Sequence, residues 1–275
     1  MLKSILACLT GFGSDKTVME AAFALARIDQ GHVDALHSRV DAQGLAAFAG
    51  VSQSHVHESV QLMAMTIARQ EQERAEAARK SYDQALARHP SGAAAYREVT
   101  TLEDETLRQA RLHDLTVVAR VPELPSGWLD AIVLSAGKPV VITPARPPSA
   151  IGRTVAVAWK DTAEAARAVT ASLPILARAE RVFIMAICES GEDAQTERMS
   201  GEGLVQLLKA HGVTAELRLA ASASASDKVK ELAYDIEADL IVMGAFGHGR
   251  LRELVLGGAT RALIADCDIA VLMLH

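Results

Sequence analysis

The sequence predicts an α/β fold with a parallel β-sheet in each half of the chain. Short apolar runs alternate with Ala-rich amphipathic helical segments, and the whole pattern occurs twice. The first half begins KSILACLTGFGSDKTVMEAAFALARIDQGHVDALHSRV, and the second begins GRTVAVAWKDTAEAARAVTASLPILARAERVFIMAICE. Each copy contains a strand, a polar turn, a helix and a second strand. Strands that alternate with helices favour right-handed parallel units.

The end of each half repeats as well. DLTVVAR and KPVVITP in the first half correspond to DLIVMGA and DIAVLML in the second. Between the halves lies PARPPSA, whose prolines cannot continue a helix or an interior strand. The sequence therefore predicts two domains, residues 1–146 and residues 147–275.

The halves are predicted to differ in their middle parts. The first contains a long helix, roughly Ser54 to His89, whose QEQERAEAARK stretch is interpreted as a solvated face. The second has a shorter helix near Gly203–His211, followed by an edge strand, VTAELRLA, and a spacer, ASASASD.

Composition narrows the class of protein. The 275 residues are 50% hydrophobic and 23% charged, enough for one large or two ordinary domains. A net charge of −6 argues against nucleic acid or an anionic membrane as the main partner. No apolar run approaches the roughly 20 residues that span a bilayer.

The short run ILAC at residues 5–8 looks like a lipoprotein cleavage box, but too few residues precede it for a signal peptide. We interpret it as a buried first strand and expect a cytoplasmic protein. Cys8, Cys188 and Cys267 show no CxxC spacing, which favours reduced thiols over disulfides or zinc. His55 and His57 are two residues apart on a predicted helix, so they do not share a face and no metal site is predicted.

The most informative segment is DLIVMGAFGHGRLRELVLGGATRALIADCDIAVLMLH, from Asp239 to His275. A buried strand leads into a glycine-rich loop, and Gly257 and Gly258 precede the helix-forming run ATRALIA. Unpaired amides at a helix N-terminus, together with the helix dipole, form an anion site. The segment therefore predicts a phosphate cradle for a nucleotide. Alternatively, the glycines only make turns and let a helix pack close to the sheet.

The spacing of Gly244, Gly247 and Gly257 resembles the Gly-x2-Gly-x9-Gly-(Ser/Thr) signature of the universal stress protein family. Gly258 stands where that family has Ser or Thr; this removes a hydroxyl but keeps the backbone N–H. The resemblance covers essentially all of the second half and, more weakly, the first. In the first half, Ala119 and Pro122 replace the first two glycines, so that half is interpreted as a degenerate copy.

The resemblance implies two Rossmann-like, five-stranded parallel-sheet domains in tandem. It also implies that their last strands pair, Val140–Thr143 with Ala270–Leu274, to form an intramolecular pseudo-dimer. The product is a monomer with pseudo-two-fold domains, or a homodimer of such chains.

The turn after the first strand of the second half is predicted to face the glycine loop. The resemblance implies an Asp there that contacts the adenosine, but Lys160 occupies the position and Asp161 follows. Asp161 could reach a ribose hydroxyl or the adenine amine, or Asp161-Thr162 could cap the next helix, which we favour. Trp159 is either core or a wall of the base pocket.

The remaining site residues come from the second strand and the glycine loop. The resemblance implies that backbone groups near Ile187 lie by the base. His248 follows the second glycine, Arg250 is either a phosphate partner or a solvated charge, and Thr260 could replace the hydroxyl that Gly258 lacks.

The sequence thus predicts a tandem universal stress protein, a stress-response regulator that binds an adenine nucleotide, ATP with or without Mg²⁺, in its C-terminal domain. No carboxylate is clearly placed for catalysis, so no enzyme activity beyond slow ATP hydrolysis is expected. Its protein partner is unknown. The alternative is a nucleotide-free interaction scaffold in which both sites are degenerate.

Overall fold

The structure is a computed structural model that describes residues 1–41, 54–90, 92–101, 105–124, 126–146, 150–189, 193–245 and 267–275. The helices in these ranges are α1 (Asp15–Asp29), α2 (Ser54–Arg88), α3 (Glu105–Ala110), α4 (Ser126–Ser135), α5 (Ala163–Leu176), α6 (Ala194–Ala210) and α7 (Ala225–Asp235). The strands are β1 (Ser4–Leu9), β2 (His32–Val40), β3 (Ala94–Thr101), β4 (Leu115–Ala119), β5 (Val140–Thr143), β6 (Thr154–Trp159), β7 (Arg181–Cys188), β8 (Ala215–Ala221), β9 (Leu240–Gly244) and β10 (Ala270–Leu274).

The ten strands form one continuous sheet in the order β3-β2-β1-β4-β5-β10-β9-β6-β7-β8. Each half contributes five parallel strands, and the order of the second half mirrors that of the first. The halves meet where β5 and β10 pair antiparallel, with Leu272 opposite Val141 and Met273 opposite Val140. The predicted pairing of the two last strands is therefore confirmed, and the fold is a tandem pseudo-dimer.

Helices cover both faces of the sheet, which explains why its central strands are apolar without alternation. β4, β5 and β10 are buried along their whole length. Apolar residues of α1, part of α2, α5 and α6 belong to one core cluster, and apolar residues of α4 and α7 belong to the other. None of the described helices combines the length and hydropathy that spanning a bilayer requires.

Two elements of the second half differ from the sequence prediction. α6 begins at Ala194, well before Gly203, because Asp193 caps it by accepting hydrogen bonds from the backbone N–H groups of Gln195 and Thr196 at 3.1 and 3.2 Å. The spacer ASASASD is only partly a spacer, because α7 begins within it at Ala225. In both places a short polar side chain starts the helix earlier than the apolar periodicity indicates.

The predicted solvated stretch of the long helix also differs. Glu71, Ala75 and Ala78 in the QEQERAEAARK region of α2 are at most 5% exposed. Alanines have no long side chain to signal an apolar stripe, so the buried face was not visible in the pattern. α2 instead packs against α1 and β2, and this contact closes one end of the first half, as described below.

Candidate functional site

The candidate site lies at the carboxyl ends of β6 and β9. β6 lies between β7 and β9 in the sheet, so the order of the strands reverses at this point. Ligands of open α/β sheets bind outside the strand ends at such a switch point. Trp159 ends β6, Lys160 and Asp161 follow it, and Gly244 ends β9. These four residues therefore lie at one edge of the sheet, and their contact with a ligand remains a prediction.

The turn after β6 leads directly into α5. Thr162 is extended (φ −136°) and its hydroxyl accepts a hydrogen bond from the N–H of Ala165 at 3.2 Å, so Thr162 is the N-cap. Asp161 is exposed and does not make the cap bond itself. A contact between Asp161 and a ligand remains a prediction.

Lys160 lies next to a carboxylate that the sequence analysis did not identify. Glu189 directly follows β7, and its Oε2 is 3.8 Å from the Nζ of Lys160. The two side chains are 40% and 41% exposed. Which carboxylate reaches Lys160 depends on the register of β6 against β7, so no local signal in the sequence identifies Glu189.

Trp159 is half-buried and packs against the core cluster that carries α5 and α6. Its Nε1–H donates a hydrogen bond to the Oγ of Ser200 at 2.8 Å, which holds the ring against α6. Ile187 is 5% exposed and belongs to the opposite core cluster. The two residues thus lie on opposite faces of the sheet, and their contacts with a ligand remain predictions.

Gly244 has a packing reason to be glycine. A Cβ at this position would lie 2.5 Å from the backbone nitrogen of Ala165 and 2.7 Å from the carbonyl carbon of Glu164. The end of β9 therefore touches the first turn of α5, and the missing side chain permits that contact. This favours the alternative for the first glycine of the motif, in which it lets a helix approach the sheet.

Beside this contact, Glu164 has a lowered pKa. A hydrogen bond from its own backbone N–H is the main cause, and the neighbouring Arg167, whose Nη2 donates at 2.9 Å, adds to it. The carboxylate is thus charged at the N-terminus of α5, where the helix dipole favours a negative charge. The other predicted site residues, Gly247, His248, Arg250, Gly257, Gly258 and Thr260, lie outside the described residues.

The corresponding end of β1 in the first half is covered by α2. Arg74 of α2 donates from Nε to the carbonyl oxygen of Thr10 at 2.9 Å, and its guanidinium lies 4.8 Å from the ring centre of Phe12. Glu71 accepts from the same guanidinium at 2.6 Å. Gly11 has φ +80°, and a side chain there would overlap the backbone and Cβ of Arg74. The chain's own helix therefore occupies the strand end at which a ligand of the first half would bind.

Beneath Arg74, the turn is held by a buried carboxylate. Asp15 accepts hydrogen bonds from the N–H groups of Thr10 and Gly11, both at 2.8 Å. Burial raises the pKa of Asp15, and these hydrogen bonds act in the opposite direction. His37 is fully buried and its Nδ1 donates to the carbonyl of Leu9 at 2.9 Å, which ties β2 to the end of β1.

Metal binding has no support in the described ranges, where no group of three His, Cys, Asp or Glu residues could hold a metal ion. Cys8, Cys188 and Cys267 form no disulfide bond. Burial raises the pKa of the Cys267 thiol, which keeps it in the unreactive protonated form.

The sequence and the fold of this chain resemble those of known proteins. The model of the Universal stress protein family matches residues 152–275. A universal stress protein from Archaeoglobus fulgidus has a TM-score of 0.65 at 13% identity, covering 98% of this chain and 95% of that one. No protein of curated function matches the sequence significantly.

Two further structures match over nearly the whole chain. A protein of unknown function from Pseudomonas aeruginosa PAO1 has a TM-score of 0.64 at 15% identity, over 99% of this chain and 92% of that one. A putative universal stress protein from Pseudomonas aeruginosa UCBPP-PA14 has a TM-score of 0.62 at 15% identity, over 99% and 93%. At such identities the likeness concerns the fold, and its extent shows that the two-half architecture is shared.

Proposed function

We propose that this chain, whose residues 152–275 match the model of the Universal stress protein family, is a stress-response regulator that binds an adenine nucleotide in its C-terminal half. ATP, with or without Mg²⁺, is the nucleotide proposed. The protein acts through a change in conformation or in the choice of a protein partner. We propose no enzymatic activity beyond slow ATP hydrolysis.

The observation that carries this proposal is the difference between the two strand ends at which a ligand would bind. In the first half, Arg74 covers the end of β1. In the second half, the equivalent turn carries an exposed Asp161 and a Lys160–Glu189 pair that is about 40% exposed. Ligands of open α/β sheets bind at such a switch point, and a few accessible polar groups there can fix the orientation of a ligand.

The glycine motif supplies the phosphate half of the proposed site. Gly257 and Gly258 precede a helix-forming run, and the amides of a helix start attract phosphate. Because the first half has neither the motif nor an open strand end, the proposal specifies one nucleotide per chain.

A nucleotide-free interaction scaffold is the second candidate. The packing of Gly244 against α5 favours it, since that contact explains the first glycine of the motif without a ligand. The same contact makes Gly244→Asp a poor test of binding, because the variant would disturb the fold whether or not nucleotide binds.

The test begins with the protein purified without added nucleotide. Heat denaturation followed by mass spectrometry identifies any released ligand, and calorimetric titration with ATP and Mg²⁺ gives affinity and stoichiometry. Released adenine nucleotide, or saturable binding near one per chain, would support the proposal. If nothing is released and millimolar ATP produces no heat, the scaffold is the better account.

A variant pair then locates the site. Gly257→Asp places a negative charge in the phosphate motif and should abolish ATP binding while the circular dichroism spectrum stays unchanged. Gly127→Asp is the matched control in α4 of the first half, where an added Cβ meets nothing within 4 Å. The control should bind ATP as the wild type does. Retained affinity in a folded Gly257→Asp protein would count against the glycine motif as the binding site.

A further inference from the structure

The outer edge of β8 is a surface that the proposed function does not use. β8 is the last strand of the sheet, and its neighbour is β7. The N–H of Ser222 donates to the carbonyl of Cys188 at 3.1 Å, and Cys188 is opposite Ala221 in the register. The even-numbered residues of β8 therefore direct their backbone groups toward β7. The N–H and C=O groups that point away from the sheet belong to the odd-numbered residues, Ala215, Leu217, Leu219 and Ala221.

The opposite edge of the sheet, β3, is partly capped. The N–H of Val33 donates to the carbonyl of Ala93 at 2.9 Å, so the backbone groups of Ala94, the next residue, point outward. The carbonyl of Ala94 accepts a hydrogen bond from the hydroxyl of Tyr82 in α2 at 3.2 Å. Among the described residues, none makes a comparable bond to the outward groups of β8. β8 therefore presents the more open of the two edges.

The side chains of β8 place two opposite charges along this edge. Leu217 packs against Gly201 of α6, so the even-numbered residues lie on the other face of the sheet. There the Nε of Arg218 is 2.7 Å from the Oε1 of Glu216, and the two side chains are 49% and 56% exposed. The guanidinium of Arg218 also lies 5.5 Å from the ring centre of Phe183, which helps to hold it in place. On the α6 face, Leu219 is 37% exposed.

The order of these residues fits a second copy of the same strand in the antiparallel direction. With a two-fold axis at Leu217, Glu216 of each copy lies opposite Arg218 of the other, and Ala215 lies opposite Leu219. Unlike charges directly opposite each other stabilise a strand pair, whereas like charges destabilise it. An axis at Glu216 or at Arg218 would place that residue opposite its own copy. The strand therefore favours one register for self-pairing.

The same register also satisfies the backbone. Leu217 lies opposite Leu217 of the second copy, and Ala215 opposite Leu219, and all of these residues direct their N–H and C=O groups outward. Such residues form the hydrogen-bonded pairs of an antiparallel ladder, in which the two members exchange two backbone hydrogen bonds. Glu216 and Arg218 then occupy the non-hydrogen-bonded pairs, where side chains approach most closely.

We propose that two copies of this chain associate through antiparallel pairing of their β8 strands, which joins their sheets into one. The contact is isologous, because each copy contributes the same surface. It lies along the side of β8 rather than at the carboxyl ends of β6 and β9, so it does not depend on nucleotide binding.

The test is sedimentation velocity of the full-length protein at increasing concentration, in which the wild type should form a dimer. Arg218→Glu and Glu216→Arg each place like charges opposite each other at two positions of the contact. Each variant should therefore weaken dimerisation roughly tenfold or more. An equimolar mixture of the two variants should dimerise as the wild type does, because every Glu again faces an Arg. A defect in folding would not be rescued by mixing.

A backbone variant tests the ladder itself. Leu219→Pro removes an N–H that points away from β7, and proline is tolerated where the N–H of an edge strand faces solvent. This variant should lose the dimer while its circular dichroism spectrum stays unchanged. The matched control is Arg97→Glu in β3, which makes the same charge change on the opposite edge of the sheet and should leave the dimer intact.

The contrary outcomes are distinct. A wild type that stays monomeric at every concentration would overturn the proposal, and Glu216 and Arg218 would then be charges that protect an edge from pairing. A dimer that Arg97→Glu disrupts and Arg218→Glu does not would place the contact at β3 instead. Weakened single variants that mixing fails to rescue would overturn the two-fold register.

Discussion

Replacing Gly244 with alanine adds one methyl group at the contact between β9 and α5. The new Cβ would lie 2.5 Å from the nitrogen of Ala165, 2.7 Å from the carbonyl carbon of Glu164 and 2.8 Å from its Cβ. Two of these three atoms belong to the backbone, so a side-chain rotation cannot relieve the overlap. Either β9 or the first turn of α5 must move.

The expected cost follows from the size of this overlap. Overpacking a well-packed interior costs about 1–3 kcal/mol, and the involvement of backbone atoms places Gly244→Ala at about 2–3 kcal/mol. For a chain of this size that corresponds to a fall in Tm of roughly 4–12 °C. Urea denaturation and differential scanning calorimetry would measure the two quantities.

Gly203→Ala is the control for this substitution. Gly203 lies in α6, where an added Cβ meets nothing within 4 Å, so alanine should stabilise the protein by roughly 0.5–1 kcal/mol. If Gly244→Ala were as stable as the wild type, the inference that β9 packs too closely against α5 for a side chain would be refuted. Gly244 would then be better explained by a ligand than by packing.

Two further predictions concern the first half. Arg74→Ala removes the hydrogen bond to the carbonyl of Thr10 and should lower the free energy of unfolding by about 1–3 kcal/mol in urea denaturation; an unchanged value would mean that α2 does not hold this turn. Burial acts to raise the pKa of Glu20, but hydrogen bonds from Arg88, the last residue of α2, and from His89 after it outweigh this effect, so the pKa is lowered from 4.5. The carboxylate therefore stabilises the fold above pH 4.5, and this contribution disappears as the pH falls through the lowered pKa. The Tm of Glu20→Gln should consequently fall less than that of the wild type on acidification to pH about 3, and parallel curves would contradict the linkage.

Much of the architecture could be predicted from local patterns. Apolar runs and helical periodicity located the strands and most helices, and the family resemblance predicted the pairing of β5 with β10. The start of α6 was missed because its signal is a single capping residue, Asp193, rather than a periodic one. The buried face of α2 was missed because alanine serves equally well on either face of a helix.

The candidate site was predictable only in part, for a related reason. The turn after β6 and Gly244 could be placed at one edge of the sheet, since the carboxyl ends of parallel strands share an edge. The role of Gly244 depends on how closely α5 approaches, and the partner of Lys160 depends on the register of β7. Neither the approach of α5 nor the register of β7 can be predicted from the residues close in sequence to Gly244 or Lys160.

By itself, the sequence determined that this protein has two α/β halves and that the second carries a glycine motif like that of the universal stress proteins. These features follow from apolar periodicity and glycine spacing, and both patterns lie within short, continuous segments of the sequence. Tertiary structure alone decided that Arg74 meets Thr10, 64 positions away, and that Glu189 faces Lys160. Such contacts depend on helix packing and strand register, which are set only when segments distant in sequence pack together in the folded protein. This packing places Arg74 of α2 over the end of β1 in the first half, whereas Asp161 after β6 in the second half remains exposed.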